Sequence, residues 1–104
     1  MNKFVPIELD KARNLKMGFR AMALVEETLN MPFAKIDFEN LKITDLFVII
    51  HAALVHEDST LTVEKVMDIM DEYGNMELIT EKLGKSIELA FATKNVPRVA
   101  KAKK

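Results

Sequence analysis

The chain has no cysteine and no tryptophan, and only three glycines, three prolines and one tyrosine among its 104 residues. Without cysteine there is no disulfide framework, no thiolate nucleophile and no thiolate metal cage, so the redox compartment stays open. With so few glycines, no Gly-rich loop exists to cradle a phosphate. The longest apolar run, Leu46 to Val55, is broken by His51. It covers about ten residues, whereas a helix that crosses a bilayer needs roughly twenty. The opening MNKFVPIELD lacks both the apolar stretch and the small-residue cleavage site of a secretory signal, so the protein is expected to stay in the cytoplasm where it is made.

What is present favours helices. Ala, Leu, Met, Glu and Lys dominate, and all are good helix formers. Hydrophobic residues make up 49% and charged residues 30%, a balance that suits one soluble domain with one modest core. The net charge of −1 hides an asymmetry. Five of the fifteen basic residues lie from Lys94 onward, where there is no acid, which leaves ten basic residues against all sixteen acids before Thr93. The chain is therefore an acidic body with a short basic tail.

Hydrophobic periodicity organises the body. Leu46 to Val55 is apolar all round, as a central core helix would be, with Thr44 placed to cap it and Asp45 in its first turn. Phe47 to Ile50 alone would also suit a buried strand, but Ala52 and Ala53 favour helix. An earlier helix is expected from about Leu15 to Leu29, with Leu15, Phe19 and Met22 in one line and Met17, Ala21, Leu24 and Val25 in another. Asn30-Met31-Pro32 stops it. Residues 33–42 form a connector with one helical turn near Asp37-Phe38-Glu39. Thr62 reads as the cap of a third helix whose Val63, Val66, Met67, Met70 and Tyr73 share a face, ending at Gly74 as a left-handed C′ glycine. A last helix spans about Met76 to Ala92, with Gly84 and Ser86 small enough for close helix approach. Before all of these, Val5, Ile7 and Leu9 alternate around Pro6 as an extended arm confined to an edge. The expected fold is all-α: a small bundle of four to five helices in one domain (1–92), with an arm over 1–14 and a flexible basic tail over 93–104.

No residues converge on a chemistry. His51 has no partner ligand at metal spacing and reads as a hydrogen-bonded core histidine. His56-Glu57 begins the zinc signature H-E-x-x-H, but Thr60 stands where the second His belongs. Asp58-Ser59-Thr60 lacks the spaced carboxylates, central Gly and closing Glu of a calcium loop. Glu26 and Glu27 are adjacent and point about 100° apart on a helix, so they read as a solvated face rather than an acid–base pair. The segment after Leu61 could be half of a helix-turn-helix, yet Glu64, Asp68, Asp71 and Glu72 on its open face would repel phosphates. No catalytic, metal or cofactor residues are expected, and the protein is not expected to be an enzyme. Seven methionines are many; Met17, Met22, Met67, Met70 and Met76 fall on apolar stripes, and Met31 is the one expected at the surface.

Three stretches carry a family resemblance. These are Lys16-Met17-Gly18-Phe19-Arg20-Ala21 through Leu24-Val25-Glu26-Glu27; Ile43-Thr44-Asp45-Leu46 with Ala52-Ala53-Leu54-Val55-His56-Glu57-Asp58; and Leu61-Thr62-Val63-Glu64-Lys65-Val66. In pattern and order the chain from Ile7 to Phe91 resembles the tail assembly chaperones of long-tailed bacteriophages, of the Gram-positive phage and prophage type. Members typically carry a small-residue and Leu run, a His-Glu-Asp turn, and Leu-Thr opening the next helix. Two loop positions depart from the pattern, Asn30 where a Gly often closes the first helix and Ser59 where Pro often follows the acid.

The resemblance implies a helical, non-enzymatic protein of the host bacterial cytoplasm, absent from the mature virion. It would bind the unpolymerised tail tube protein and help recruit it to the tape measure protein. It also implies a longer form of the same chain made by ribosomal frameshifting, with which the Lys101-Ala102-Lys103-Lys104 ending, encoded by A-rich codons, is compatible. The competing reading is a small helical regulator or adaptor that binds another protein or DNA. Candidate partner contacts are Phe4, Val5 and Ile7 of the arm, Met31 with Phe33, and Lys101, Lys103 and Lys104 of the tail. No membrane partner is expected, and self-association stays open.

Overall fold

The structure, a computed structural model, describes residues 4–91. It begins with a β-hairpin where an arm was expected. Strand β1 (Val5–Glu8) pairs antiparallel with β2 (Ala12–Leu15), with Val5 opposite Leu15 and Ile7 opposite Arg13. Alternation sends Val5, Ile7 and Leu9 inward on one strand and Arg13 and Leu15 on the other. The fold is therefore mostly helical rather than all-α. The described part of the expected arm, residues 4–14, makes up nearly all of this hairpin, folded back on itself.

Helix α1 (Phe19–Leu29) starts one turn later than the apolar pattern suggested, because Leu15 belongs to β2 and Met17 to the link between them. Asn30 ends the helix with φ 56°, the left-handed conformation that Asn tolerates better than most residues, and its N–H donates to the Glu26 carbonyl. The single helical turn of the connector falls at Phe33–Lys35, ahead of the expected Asp37-Phe38-Glu39. Glu26 fixes it: its Oε2 accepts the Phe33 N–H at 2.7 Å, so this carboxylate is a loop anchor and not simply solvated.

Helix α2 (Ile43–Leu54) is the centre of the molecule. Ile49, Ile50, Ala53 and Leu54 are completely buried, and α1, α3 and β2 all pack on it. Its N-cap is Lys42, two residues ahead of the expected Thr44, which falls inside the first turn. Helix α3 (Val63–Tyr73) starts as expected at Thr62, whose hydroxyl accepts the Lys65 N–H at 3.1 Å. Gly74 follows it with φ −81° and ψ 161°, so the expected left-handed glycine is extended instead. Its reason is space: an added Cβ would stand 2.7 Å from the Met70 carbonyl oxygen.

Helix α4 (Met76–Phe91) opens on Asn75, whose side chain accepts the Leu78 N–H at 3.0 Å. It packs chiefly on the hairpin, closing the core around Ile79, Leu83 and the fully buried Ser86. Gly84 faces open space, and although Ser86 is buried, α4 packs chiefly on the hairpin rather than closely against another helix. Met76, expected on the buried stripe, is 46% exposed at the α3–α4 elbow, and Phe19 is 85% exposed at the first turn of α1. Both are terminal residues of their helices, with no further turn packed over them. No helix among the described residues is long and apolar enough to cross a membrane.

Candidate interaction groove

The His56-Glu57-Asp58 turn that follows α2 proves to be a clamp. The His56 Nε2–H donates to the Asn14 carbonyl at 2.8 Å. Glu57 Oε1 accepts the Asn14 N–H at 2.9 Å, and its Oε2 accepts the Asn14 amide at 3.4 Å. Asp58 Oδ2 lies 3.5 Å from Arg13 Nη1. Three consecutive turn residues thus hold two consecutive residues of β2. Arg13 is 4% exposed and also forks onto Asp10, with Nε–Oδ1 at 2.7 Å and Nη2–Oδ2 at 2.8 Å.

The Arg13, Asp10 and Asp58 charges favour their ionised forms. The Arg13 guanidinium pulls the Asp10 carboxyl below its usual range, and Asp10 in turn raises the Arg13 pKa. Asp58 is lowered mainly by the Thr60 hydroxyl and N–H, with Arg13 a smaller contributor. A general acid at neutral pH needs the opposite shift, a carboxyl raised by burial or by a like charge. Among the described residues no three His, Cys, Asp or Glu side chains come together to hold a metal ion. His51, half-buried, donates Nε2–H to the Leu61 carbonyl at 3.0 Å and ties α2 to the start of α3, the structural role expected of it.

Beside the clamp lies a groove of about 660 Å³ between α1 and the C-terminal end of α2. Its floor is apolar, formed by Ala23 and Leu24 of α1 and by Ala52 and Val55 at the end of α2. Lys16, Arg20 and Phe19 stand at one end, Glu27 at the other, and His56 forms part of the wall. Phe4 stacks on the His56 ring at 5.5 Å and 18°, and Lys16 Nζ lies 5.6 Å from the centre of the Phe4 ring. Of the arm residues expected to meet a partner, only Phe4 reaches the surface here; Val5 and Ile7 are buried core residues under α4.

A second apolar surface is built around Phe33. Phe33 is buried and sits at 5.5 Å from Phe38 and 6.3 Å from Phe91, both partly exposed. Met31 is exposed, as expected, while its neighbour Phe33 serves as the floor of this aromatic group. Lys101, Lys103 and Lys104 lie outside the described residues. Sequence reasoning missed Phe19, Arg20 and Lys16 as surface groups, because Phe19 falls on the same helical line as Met22 and reads as core. The clue was Gly18, which offers no side chain to cap α1 and leaves its first turn open. Compared with protein-family models, with curated proteins and with solved structures, the chain matches none.

Proposed function

We propose that the protein is a phage tail assembly chaperone that acts by reversible binding and carries out no chemistry. One observation carries the reading: an open groove with an apolar floor, flanked by a phenylalanine that is 85% exposed. A large aromatic ring left in water beside an apolar groove extends the apolar surface that another protein could cover. The client would be the unpolymerised tail tube protein, held until it is passed to the tape measure protein in the host cytoplasm. A longer frameshifted form of the chain would add a second module at the basic end. The adaptor alternative is not favoured in its DNA-binding form, since Glu64, Asp68, Asp71 and Glu72 on α3 are all exposed.

The test is size-exclusion co-elution of the full chain with the unpolymerised tail tube subunit of its own phage, together with light scattering of tube polymerisation. A joint peak and delayed polymerisation are expected. Separate peaks at tens of micromolar protein, with polymerisation unchanged, would remove the chaperone reading. The frameshift is tested separately on the nucleotides: a slippery heptamer over the last lysine codons and an overlapping frame are expected, and their absence refutes the long form.

A further inference from the structure

We infer that the α1–α2 groove receives an acidic, apolar segment of a partner protein, its side-chain carboxylate seated at Lys16, Arg20 and the first turn of α1. The inference deepens the chaperone reading and rests on it for the identity of the partner. Charge is the first reason. Between Phe4 and Phe91 there are nine basic residues against sixteen acidic ones, so the body as a whole repels acidic chains. In the groove the balance reverses: Lys16 and Arg20 both line it, Lys16 over the Phe4 ring, and neither enters a salt bridge among the described residues.

The helix terminus beside them is the second reason. The first N–H groups of a helix have no intrahelical partner and carry a partial positive charge. Most helices quench this with a capping side chain or an acid in the first turn. Helix α1 has neither: its cap is Gly18, and no acidic residue falls in its first turn. A carboxylate placed there would meet two cations and an open helix end at once.

The third reason is the order of groups along the groove. Arg20, Ala23, Leu24 and Glu27 follow one another at helical spacing on a single stripe of α1. They run from cation through apolar floor to carboxylate over roughly 10 Å. Ala52 and Val55 supply the opposite apolar wall. The complementary segment is therefore polarised as well: an Asp or Glu at the α1 N-terminal end, then a Leu-sized or aromatic side chain, then a neutral or basic residue facing Glu27. Small floor residues such as Ala23 and Ala52 leave the depth that a bulky guest side chain requires.

The test is fluorescence anisotropy of the full chain with a labelled, C-terminally amidated amphipathic peptide of Leu and Glu, beside matched Leu/Gln and Leu/Lys peptides. The Leu/Glu peptide is expected to bind about tenfold more tightly than either relative, and less tightly as salt rises. Arg20→Glu should reverse the preference between the Glu and Lys peptides. Ala23→Trp should abolish binding of all three by filling the groove, with an unchanged melting temperature showing that the fold persists. Equal binding of the three peptides, a preference untouched by Arg20→Glu, or binding only to a peptide with a free C-terminus would overturn the inference. So would concentration-dependent self-association that Ala23→Trp abolishes, because a second copy would then be the occupant. Running the tail tube subunit in parallel separates the two readings. Co-elution that survives both variants overturns the groove and leaves the chaperone; a peptide preference that follows Arg20 without co-elution does the reverse.

Discussion

Replacing Arg13 with methionine isolates what the clamp contributes. The substitution keeps a long apolar stem in a position that is 4% exposed and removes only the guanidinium. Two short charged hydrogen bonds to Asp10 and the longer contact to Asp58 disappear. Bonds of this kind contribute about 1.5–3 kcal/mol each when a partner is lost and nothing replaces it. Here the loss is smaller per bond, because the Asp10 and Asp58 side chains are each 26% exposed and regain water, and a buried cation no longer has to be desolvated. A net destabilisation of about 2 kcal/mol follows, or a fall in melting temperature of roughly 8–15 °C for a domain of this size.

The pH dependence fixes the cause. Asp10 and Asp58 both titrate in the folded protein below their ordinary value of 3.8. A carboxyl with a depressed folded pKa adds stability above its unfolded pKa and loses it as the pH falls through the folded value. The gap between wild type and Arg13→Met should therefore be full at neutral pH and shrink as the pH drops below 3.8, where Asp10 takes up its proton. Thermal melts followed by circular dichroism across that range measure it. A variant that melts within about 2 °C of wild type at pH 7, or a gap that persists undiminished in acid, would refute the clamp as an energetic element.

Four further substitutions probe the remaining elements by the same melts. Gly84→Ala should stabilise by about 0.5–1 kcal/mol, since the site is mid-helix in α4 and an added Cβ meets nothing within 4 Å. Gly74→Ala should instead destabilise by about 1–2 kcal/mol, because the new Cβ crowds the Met70 carbonyl and side chain at the end of α3. Thr62→Ala removes the hydroxyl that caps α3 and should cost about 1 kcal/mol. Phe19→Ser should leave stability within about 0.5 kcal/mol, as the ring is almost entirely in water, while weakening co-elution with the tail tube subunit. A large loss of stability in Phe19→Ser would mean that the ring serves the fold.

Most of the helical frame can be read from the sequence, and the hairpin cannot, for a reason visible in β2. Alternation in that strand sends Arg13 and Leu15 to the core side, with Met17 buried just beyond it, but the first of these is a charged residue that reads as solvent-facing. With Arg13 discounted, Leu15 and Met17 join Phe19 and Met22 in a helical count, and α1 is drawn a turn too long. The hairpin loop Leu9-Asp10-Lys11 also lacks the Asn-Gly or Asp-Gly pair that marks a tight turn. By contrast, α2 was legible because a helix buried on every side needs apolar residues at every position, and Thr62 because a cap depends on its own side chain alone. Long-range pairing decides the hairpin; local preference decides the helices.

The same distinction bears on Val5, Ile7 and Phe33, which stood among the candidate partner contacts and lie in the core. Each is a large apolar residue outside the strongest helical stripes, which in sequence looks like unclaimed surface. Val5 and Ile7 are claimed by α4, and Phe33 by Phe38, Phe91 and the Glu26 anchor. The surface groups come instead from helix ends, where a side chain has no following turn to pack beneath it.

The His56-Glu57-Asp58 turn then takes on a meaning different from the one its letters suggest. His and paired acids read as chemistry, yet His56 and Glu57 spend their hydrogen bonds on Asn14, while Asp58 accepts from Thr60 and pairs with Arg13. By holding β2 against the end of α2, the turn fixes the path of the chain through Lys16 and Gly18 into α1, and so places Lys16, Phe19 and Arg20 along one side of the groove. Loosening the clamp should therefore cost binding as well as stability. Glu57→Gln keeps a side-chain acceptor for the Asn14 N–H and should change both little. Glu57→Ala, which leaves that N–H without its partner, should raise hydrogen exchange in the hairpin and weaken peptide binding at the groove together. If exchange rises while binding holds, the groove is built by α1 and α2 alone and the turn serves only the hairpin.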